Sequence, residues 1–198
     1  MRTALRAAAA LLAVALLPAS AFAHTGVGDT GGFAHGFLHP VGGLDHILAM
    51  VAVGMFAAHL GGRALWLVPA AFVLMMAVGG AAGVFGVALP FVEIGITASV
   101  LVLGLAVAFR WSLPVAAAMA LVGFFAVFHG HAHGAEMPVD ASGLSYGLGF
   151  MLATALLHAV GLGIGLGLGR IGERSRLAYQ AGGGAMALAG LGLLTGIL

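Results

Sequence analysis

Six apolar runs of about 20 residues each follow one another through this chain and leave little room for a soluble domain. A helix needs about 20 mostly apolar residues to cross a hydrocarbon layer of ~30 Å. Only 7% of the residues are charged, whereas soluble domains carry about 25%. We therefore predict an all-α fold, a polytopic membrane helix bundle with six transmembrane helices. The predicted spans are approximately 41–60, 64–85, 91–109, 113–130, 144–168 and 178–197.

The N-terminus has the three parts of a secretory signal peptide. Two arginines precede an apolar segment at 7–17, and the sequence AFA at 21–23 supplies an A-x-A cleavage site. We predict a cleavable signal peptide at 1–23 and one membrane domain at 24–198 that begins outside the cytoplasm. Cleavage would leave His24 with a free α-amine beside its imidazole, a chelating pair for nickel(II) or copper(II).

Every arginine after the signal peptide falls on the same side of the predicted membrane domain. With the N-terminus outside, the turns near 61–63, 110–112 and 169–177 are cytoplasmic. These turns contain all the arginines of the mature chain, namely Arg63, Arg110, Arg170, Arg174 and Arg176. Because Lys and Arg concentrate in cytoplasmic loops, this distribution predicts a multi-pass protein of the inner membrane with a periplasmic N-terminus.

The composition excludes several classes of function. Cysteine is absent, so the chain has neither disulfides nor thiolate metal sites. Lysine is also absent, which excludes a P-loop, and a net charge of +1 does not suggest a nucleic-acid partner. Gly167, Gly169 and Gly172 match G-x-G-x-x-G, but they end a membrane span instead of following a strand. Glycines spaced by four, such as Gly161 and Gly165, instead predict close packing of the fifth and sixth spans.

The sequence HPVGGLDHILAM at 39–50 places an acid and two histidines at the start of the first span. Burying Asp45 in hydrocarbon costs a few kcal/mol, and a bound divalent cation would remove much of that cost. Imidazole suits nickel, copper and zinc. Pro40 favours a helix start, which would leave His39 in a loop able to fold back toward His46. The alternative is that the neighbouring Asp–His pair is only a hydrogen-bonded helix contact.

The sequence FHGHAHGAEMP at 128–138 is the second polar motif. His129, His131 and His133 alternate at the end of the fourth span and in the loop after it. Alternate histidines in an extended loop can converge on a metal, and His-rich tracts commonly bind one. The alternative is a solvated loop without a specific role.

Two further polar residues lie at or inside the predicted spans. Glu93 opens the third span and is either a ligand or an acid favoured by the helix dipole. His158 lies near the middle of the fifth span and is either a ligand or an interhelical hydrogen-bonding residue. The candidate metal ligands are therefore His39, Asp45, His46, His129, Glu136, His131, His133, Glu93 and His158.

The two motifs together resemble those of the HupE/UreJ family of bacterial membrane proteins. The resemblance is carried by HPVGGLDHILAMVAVG (39–54), with the pattern H-x5-D-H, and by FHGHAHGAE (128–136), and it covers nearly the whole mature chain. It implies a nickel permease of the bacterial inner membrane that serves hydrogenase or urease assembly. The residues that it implies in metal handling are His39, Asp45, His46, His129 and Glu136, with Glu93 and His158 at further polar positions.

We therefore predict a secondary transporter or facilitator that moves nickel(II) into the cytoplasm, not an enzyme. Its partners would be the metal ion and the lipid bilayer, and it would hold no permanent cofactor. The outer histidines and Glu136 would collect the ion, the H-x5-D-H motif would strip part of its water, and the ion would pass Met50 and His158. Protonation of the histidines near pH 6 should weaken uptake, because a protonated imidazole cannot bind a metal.

Two other functions remain open from the sequence. One is an intramembrane zinc-dependent hydrolase, in which Asp45, His46 and other histidines hold zinc and activate water. The other is a metal-binding sensor or delivery protein without flux. The residues do not distinguish nickel from cobalt or copper(I), and they leave open the driving force, the oligomeric state and transfer to a cytoplasmic nickel chaperone.

Overall fold

Each apolar run of the sequence forms a helix in the computed structural model, which describes residues 32–135, 137, 143–172 and 174–198. These residues form seven α-helices and no β-strand, which confirms the predicted all-α fold for this part of the chain. The helices are α1 Gly32–Gly42, α2 Leu44–Leu60, α3 Ala64–Val84, α4 Val92–Ala108, α5 Val115–Ala135, α6 Gly143–Gly169 and α7 Arg174–Leu194. The predicted signal peptide at 1–23 and His24 lie outside the described residues.

Four of these helices are long and apolar enough to cross a membrane. They are α3, α5, α6 and residues Ser175–Leu194 of α7, with 20 to 27 residues each. The helices α1 and α2 qualify together as one broken span. The remaining helix, α4, has 17 residues, so it is roughly 25 Å long at 1.5 Å per residue. The described residues thus contain four or five candidate spans by length and composition, and the sixth predicted span depends on the shorter α4.

The first predicted span is broken at Gly43, where α1 and α2 meet at an angle of 81°. Gly43 is extended, with φ −104° and ψ 126°. The prediction that Pro40 starts the first span is wrong, because Pro40 lies in the last turn of α1 and α2 begins at Leu44. The additional helix α1 before Gly43 is explained by its close packing against α6, where a Cβ at Gly36 would overlap the Tyr146 carbonyl. Proline lacks the N–H that continues a helix, so α1 ends soon after it.

Glycine allows several helix pairs to pack backbone against backbone. A Cβ at Gly79 of α3 would overlap the Val127 carbonyl of α5. Gly161 of α6 lies against the Val51 carbonyl of α2, which confirms that this glycine allows a close helix approach, whereas Gly169 has no neighbour within 4 Å. The predicted close packing of the fifth and sixth spans against each other is wrong, because α6 packs mainly against α1 and α2 and α7 packs mainly against α4.

The helix α2 lies at the centre of the bundle and contacts all six other helices. Its residues from Ala49 to Ala57 are all buried. The surrounding helices expose large apolar side chains such as Leu74, Val78 and Leu188 on their outer faces, as expected of helices that face lipid. The buried polar side chains in this apolar interior are His46, Ser99, His129, His131, His133, Thr154, His158 and Ser175.

Candidate functional site

The bend between α1 and α2 brings both polar motifs of the sequence to one place. The rings of His39 and His133 have their centroids 4.6 Å apart. The ring of His46 lies 4.7 Å from that of His133 and 4.8 Å from that of His129. His129 and His133 share one face of α5 because they are four residues apart. We call His39, Asp45, His46, His129 and His133 the histidine cluster.

Asp45 orients the imidazole of its neighbour His46. The Asp45 Oδ1 atom accepts the backbone N–H of His46 at 2.8 Å. The same oxygen lies 2.8 Å from His46 Nδ1. A carboxylate that accepts from Nδ1–H leaves Nε2 of the ring with a lone pair, the form in which histidine binds a metal. Asp45 and His46 are therefore neighbours in the sequence because the carboxylate fixes the tautomer of the imidazole.

The lone pair of His46 is directed at a second histidine. His46 Nε2 lies 2.6 Å from Nε2 of His133, and both rings are buried. With the carboxylate on His46 Nδ1, the hydrogen bond requires His133 to donate its Nε2–H. The ring of His133 also packs on Phe150, with centroids 4.4 Å apart. One proton thus lies between two inward-facing imidazoles from α2 and α5.

Ser99 of α4 fixes the tautomer of His129. The Ser99 hydroxyl donates to the Ile96 carbonyl at 2.6 Å, so its oxygen accepts the Nε2–H of His129 at 2.9 Å. The other ring nitrogen, His129 Nδ1, is buried and has no hydrogen-bond partner. His129 therefore presents a second bare nitrogen at the inner edge of the histidine cluster.

His158 continues the line of imidazoles into the centre of the bundle. Its side chain is 2% exposed, and neither ring nitrogen has a hydrogen-bond partner. The ring of Phe72 contacts both His158 and His129, with its centroid 5.1 Å from that of His158 and 5.7 Å from that of His129. The interhelical hydrogen bond considered for His158 is therefore not formed. Burying an imidazole without any partner is costly.

The prediction of an extended His-rich loop at the second motif is wrong. His129, His131 and His133 all belong to the last turns of α5, which continues to Ala135. The helix extends this far because these turns are buried among α2, α3 and α6 instead of lying in solvent. The helical period then separates the three histidines, since i and i+4 share a face whereas i+2 points away.

The other predicted ligands lie apart from the histidine cluster or outside the described residues. His131 is buried on another face of α5 and donates its Nε2–H to the Val87 carbonyl at 2.7 Å. Glu93 lies exposed in the first turn of α4. Glu136 lies outside the described residues. Met50 is fully buried in the apolar core.

The histidine cluster is chemically a series of close nitrogen pairs. Among the described residues, no group of three His, Asp or Glu side chains is arranged to hold a metal ion. The cluster provides instead the paired Nε2 atoms of His46 and His133 and the unpartnered Nδ1 of His129, and the unpartnered ring of His158 follows outside the cluster. Such an arrangement suits an ion that is held by few ligands at a time better than an ion that is held permanently.

Two residues of this site, Ser99 and Phe72, are not predicted from the sequence. Ser99 could have been noticed as one of two hydroxyl residues inside an otherwise apolar third run. Phe72 has no such signal, since it is one of 12 phenylalanines in the chain and its role depends entirely on which helices meet around it.

The comparisons with known proteins agree with the two motifs. Residues 12–193 match the family model described as "HupE / UreJ protein". The chain is 50% identical over 185 residues to "Protein HupE" of Rhizobium leguminosarum bv. viciae, and the match covers 93% of this chain and 95% of that protein. No solved structure matches it. The resemblance deduced from the motifs is thereby confirmed, and the chain belongs to the HupE/UreJ family.

Proposed function

We propose that this protein is a secondary transporter or facilitator that moves nickel(II) across the bacterial inner membrane into the cytoplasm for hydrogenase or urease maturation. The observation that carries the proposal is the line of imidazoles from His39 through His133, His46 and His129 toward His158. It begins at half-buried His39 and ends at a residue that is almost fully enclosed. Membership of the HupE/UreJ family supports a metal-ion substrate.

The first step of the proposed mechanism is replacement of a proton by the metal. Nε2 of His46 and Nε2 of His133 now share one proton at 2.6 Å. Each metal–nitrogen bond is about 2 Å long, so a bridging cation requires the two rings to move apart and His133 to change tautomer, its proton moving from Nε2 to Nδ1. Asp45 keeps Nδ1 of His46 protonated throughout, so the lone pair of Nε2 stays available for the ion.

The second step is passage from His129 to His158 past the ring of Phe72. The ring contacts two buried imidazoles that have nitrogens without a hydrogen-bond partner. A small rotation of Phe72 would let a partly dehydrated ion exchange ligands between them, whereas the resting ring blocks a continuous path. Ligand exchange of this kind keeps each site weak enough for release.

The proposed direction rests on the distribution of charge along the bundle axis. The histidine cluster lies at the end of α1, the start of α2 and the end of α5. Four described arginines lie at the opposite ends of the helices: Arg63, Arg110, Arg170 and Arg176. Since arginine-rich turns stay in the cytoplasm, the histidine cluster would face the periplasm. Glu136 and His131 remain proposed collectors of the ion on that side, and Glu93 remains a candidate ligand.

The arrangement of ligands favours transport over hydrolysis. A catalytic zinc site uses three protein ligands and keeps one position for water. No three-residue group of that kind is present among residues 32–135, 137, 143–172 and 174–198. The histidine cluster offers pairs of nitrogens in sequence, as expected for an ion that must leave again.

Uptake of radioactive nickel into proteoliposomes tests the proposal. We expect flux in the wild type, loss of flux in Asp45→Ala and His46→Ala, and near-normal flux in Ile47→Ala, a truncation at the next position of α2. Tight stoichiometric binding of zinc without nickel flux would favour the hydrolase, and nickel binding without flux would favour a sensor or delivery protein. Either result would contradict the proposal.

A further inference from the structure

A group of polar cavities surrounds Arg110 at the end of the bundle opposite the histidine cluster. Three adjoining cavities have volumes of about 390, 390 and 460 Å³, and Arg110 lines all of them. Arg176 lines two of the three, and Arg170 lines one. Ser112, Gln180 and Ser175 add neutral hydrogen-bonding groups to the walls. The proposed transport of nickel uses none of these residues.

The guanidinium of Arg110 is held in place by residues from two other helices. His59 of α2 donates its Nε2–H to the Arg110 carbonyl at 2.8 Å, and Arg110 Nε donates to His59 Nδ1 at 3.3 Å. The guanidinium carbon lies 5.6 Å from the ring centroid of Tyr179 of α7. Tyr179 in turn donates its hydroxyl to the Gly165 carbonyl at 2.9 Å. These contacts occupy Nε and one face of the group and leave its terminal nitrogens for the cavities.

The backbone conformation of Arg110 also indicates that an arginine is required at this position. Its φ of 51° lies in the left-handed region, which an arginine rarely adopts. The residue follows the end of α4, and glycine or asparagine would fit this conformation with less strain. The surrounding contacts must therefore favour an arginine here over a residue that suits the turn.

The positive charge at these cavities is not balanced by any described carboxylate. Arg110, Arg170 and Arg176 form no ion pair within the described part of the chain, where the acid–base pair is Asp45 with His46 at the other end. Glu173, the acid nearest in sequence, lies outside the described residues. Three exposed guanidinium groups around shared polar space can therefore accept an anion from elsewhere.

We propose that the cavities around Arg110 bind a phosphate group, from an anionic phospholipid headgroup or from soluble phosphate. Arginine presents a planar set of N–H donors that matches phosphate oxygens in pairs. Ser175, in the first turn of the 21-residue helix α7, places that helix's positive end beside the same cavities. The guanidinium groups, the serine hydroxyls and the helix terminus together supply the donors that a phosphate requires.

The test measures binding of two probes to the purified full-length protein. Native mass spectrometry compares retention of dioleoylphosphatidylglycerol with retention of dioleoylphosphatidylcholine, and thermal unfolding is followed with inorganic phosphate. The variants are Arg110→Asn, which suits the left-handed backbone, and Arg176→Gln in case the first does not fold. Arg63→Gln is the matched control, since Arg63 is exposed at the same end but lines none of these cavities.

We expect the wild type and Arg63→Gln to bind at least one of the two probes, phosphatidylglycerol or inorganic phosphate. The cavity variants Arg110→Asn and Arg176→Gln should bind that probe at least about tenfold more weakly. Preference for phosphatidylglycerol assigns the site to a lipid headgroup. Stabilisation by inorganic phosphate without a lipid preference assigns it to a soluble phosphate. The proposal is overturned if neither probe binds to the wild type, or if Arg63→Gln weakens binding as much as the cavity variants. Nickel flux is not measured here, so the result is independent of the proposed transport.

Discussion

His46 and His133 face each other through their Nε2 atoms at 2.6 Å, although 87 residues separate them in the chain. This contact depends on three features of the fold. The break at Gly43 turns the start of α2 inward, Asp45 sets the tautomer of His46, and α5 stays helical through His133. The histidine cluster therefore exists only in the assembled bundle, and its function should be sensitive to each feature separately.

Replacing the oriented carboxylate tests the role of Asp45. The Asp45→Asn variant keeps the size of the side chain but removes the charge that holds Nδ1–H of His46. We expect nickel affinity to fall by about tenfold or more, as for other partners that orient metal-binding histidines. Equilibrium binding of radioactive nickel measures the change, with thermal unfolding as the control for folding. Wild-type affinity in a folded Asp45→Asn protein would show that the carboxylate does not act on the ligand.

Changing the size of the ring at Phe72 should separate binding from flux. Phe72 contacts both His129 and His158, and it is fully buried. We expect Phe72→Trp to keep nickel binding at the histidine cluster but to lose uptake, because the larger ring closes the gap between the two imidazoles. Phe72→Leu should keep uptake and admit other divalent ions more readily. Uptake by Phe72→Trp at the wild-type rate would mean that the ion takes another path.

The contact between α3 and α5 should be intolerant of a single added methyl group. A Cβ at Gly79 would overlap the Val127 carbonyl, so Gly79→Ala must push the helices apart. We expect a loss of about 1–3 kcal/mol in the free energy of unfolding. Gly163→Ala in α6 is the matched control, because no atom lies within 4 Å of its added Cβ. Equal stability of the two variants, measured by unfolding in detergent, would argue against the close packing.

The absence of cysteine allows a direct test of the proposed topology. Single cysteines at Ala88, between α3 and α4, and at Ile171, between α6 and α7, would be the first thiols in the chain, and both positions are exposed. We expect a membrane-impermeant thiol reagent added to intact spheroplasts to label Ala88→Cys but not Ile171→Cys. The reverse pattern would invert the orientation, and labelling of both from outside would contradict the proposed number of spans.

The sequence predicts the helices well because the membrane fixes their length. Five of the six apolar runs became one helix each, and the positions of α3, α4 and α6 agree with the predicted spans to within two residues at each end. The break in the first span was less predictable. Pro40, Gly42 and Gly43 all favour an interruption, and packing of Gly36 on Tyr146 decides that it falls at Gly43.

The residues of the histidine cluster could be predicted, but their geometry could not. An acid and several imidazoles in an apolar chain are expensive to bury, so both motifs predict a site. A His- and Gly-rich segment resembles a loop, and only its burial among other helices makes α5 continue to Ala135. That continuation joins His129 and His133 to His46 and turns His131 away. Phe72 gives no signal in the sequence because its position depends on tertiary packing.

In the proposed mechanism a nickel ion takes the place of the proton between His46 and His133. Nickel K-edge X-ray absorption of the nickel-loaded protein, compared with the His133→Gln variant, tests this substitution. We predict imidazole scattering from at least two rings in the wild type and the loss of one ring in the variant. A spectrum with oxygen ligands alone, or one that is identical in both proteins, would contradict the account.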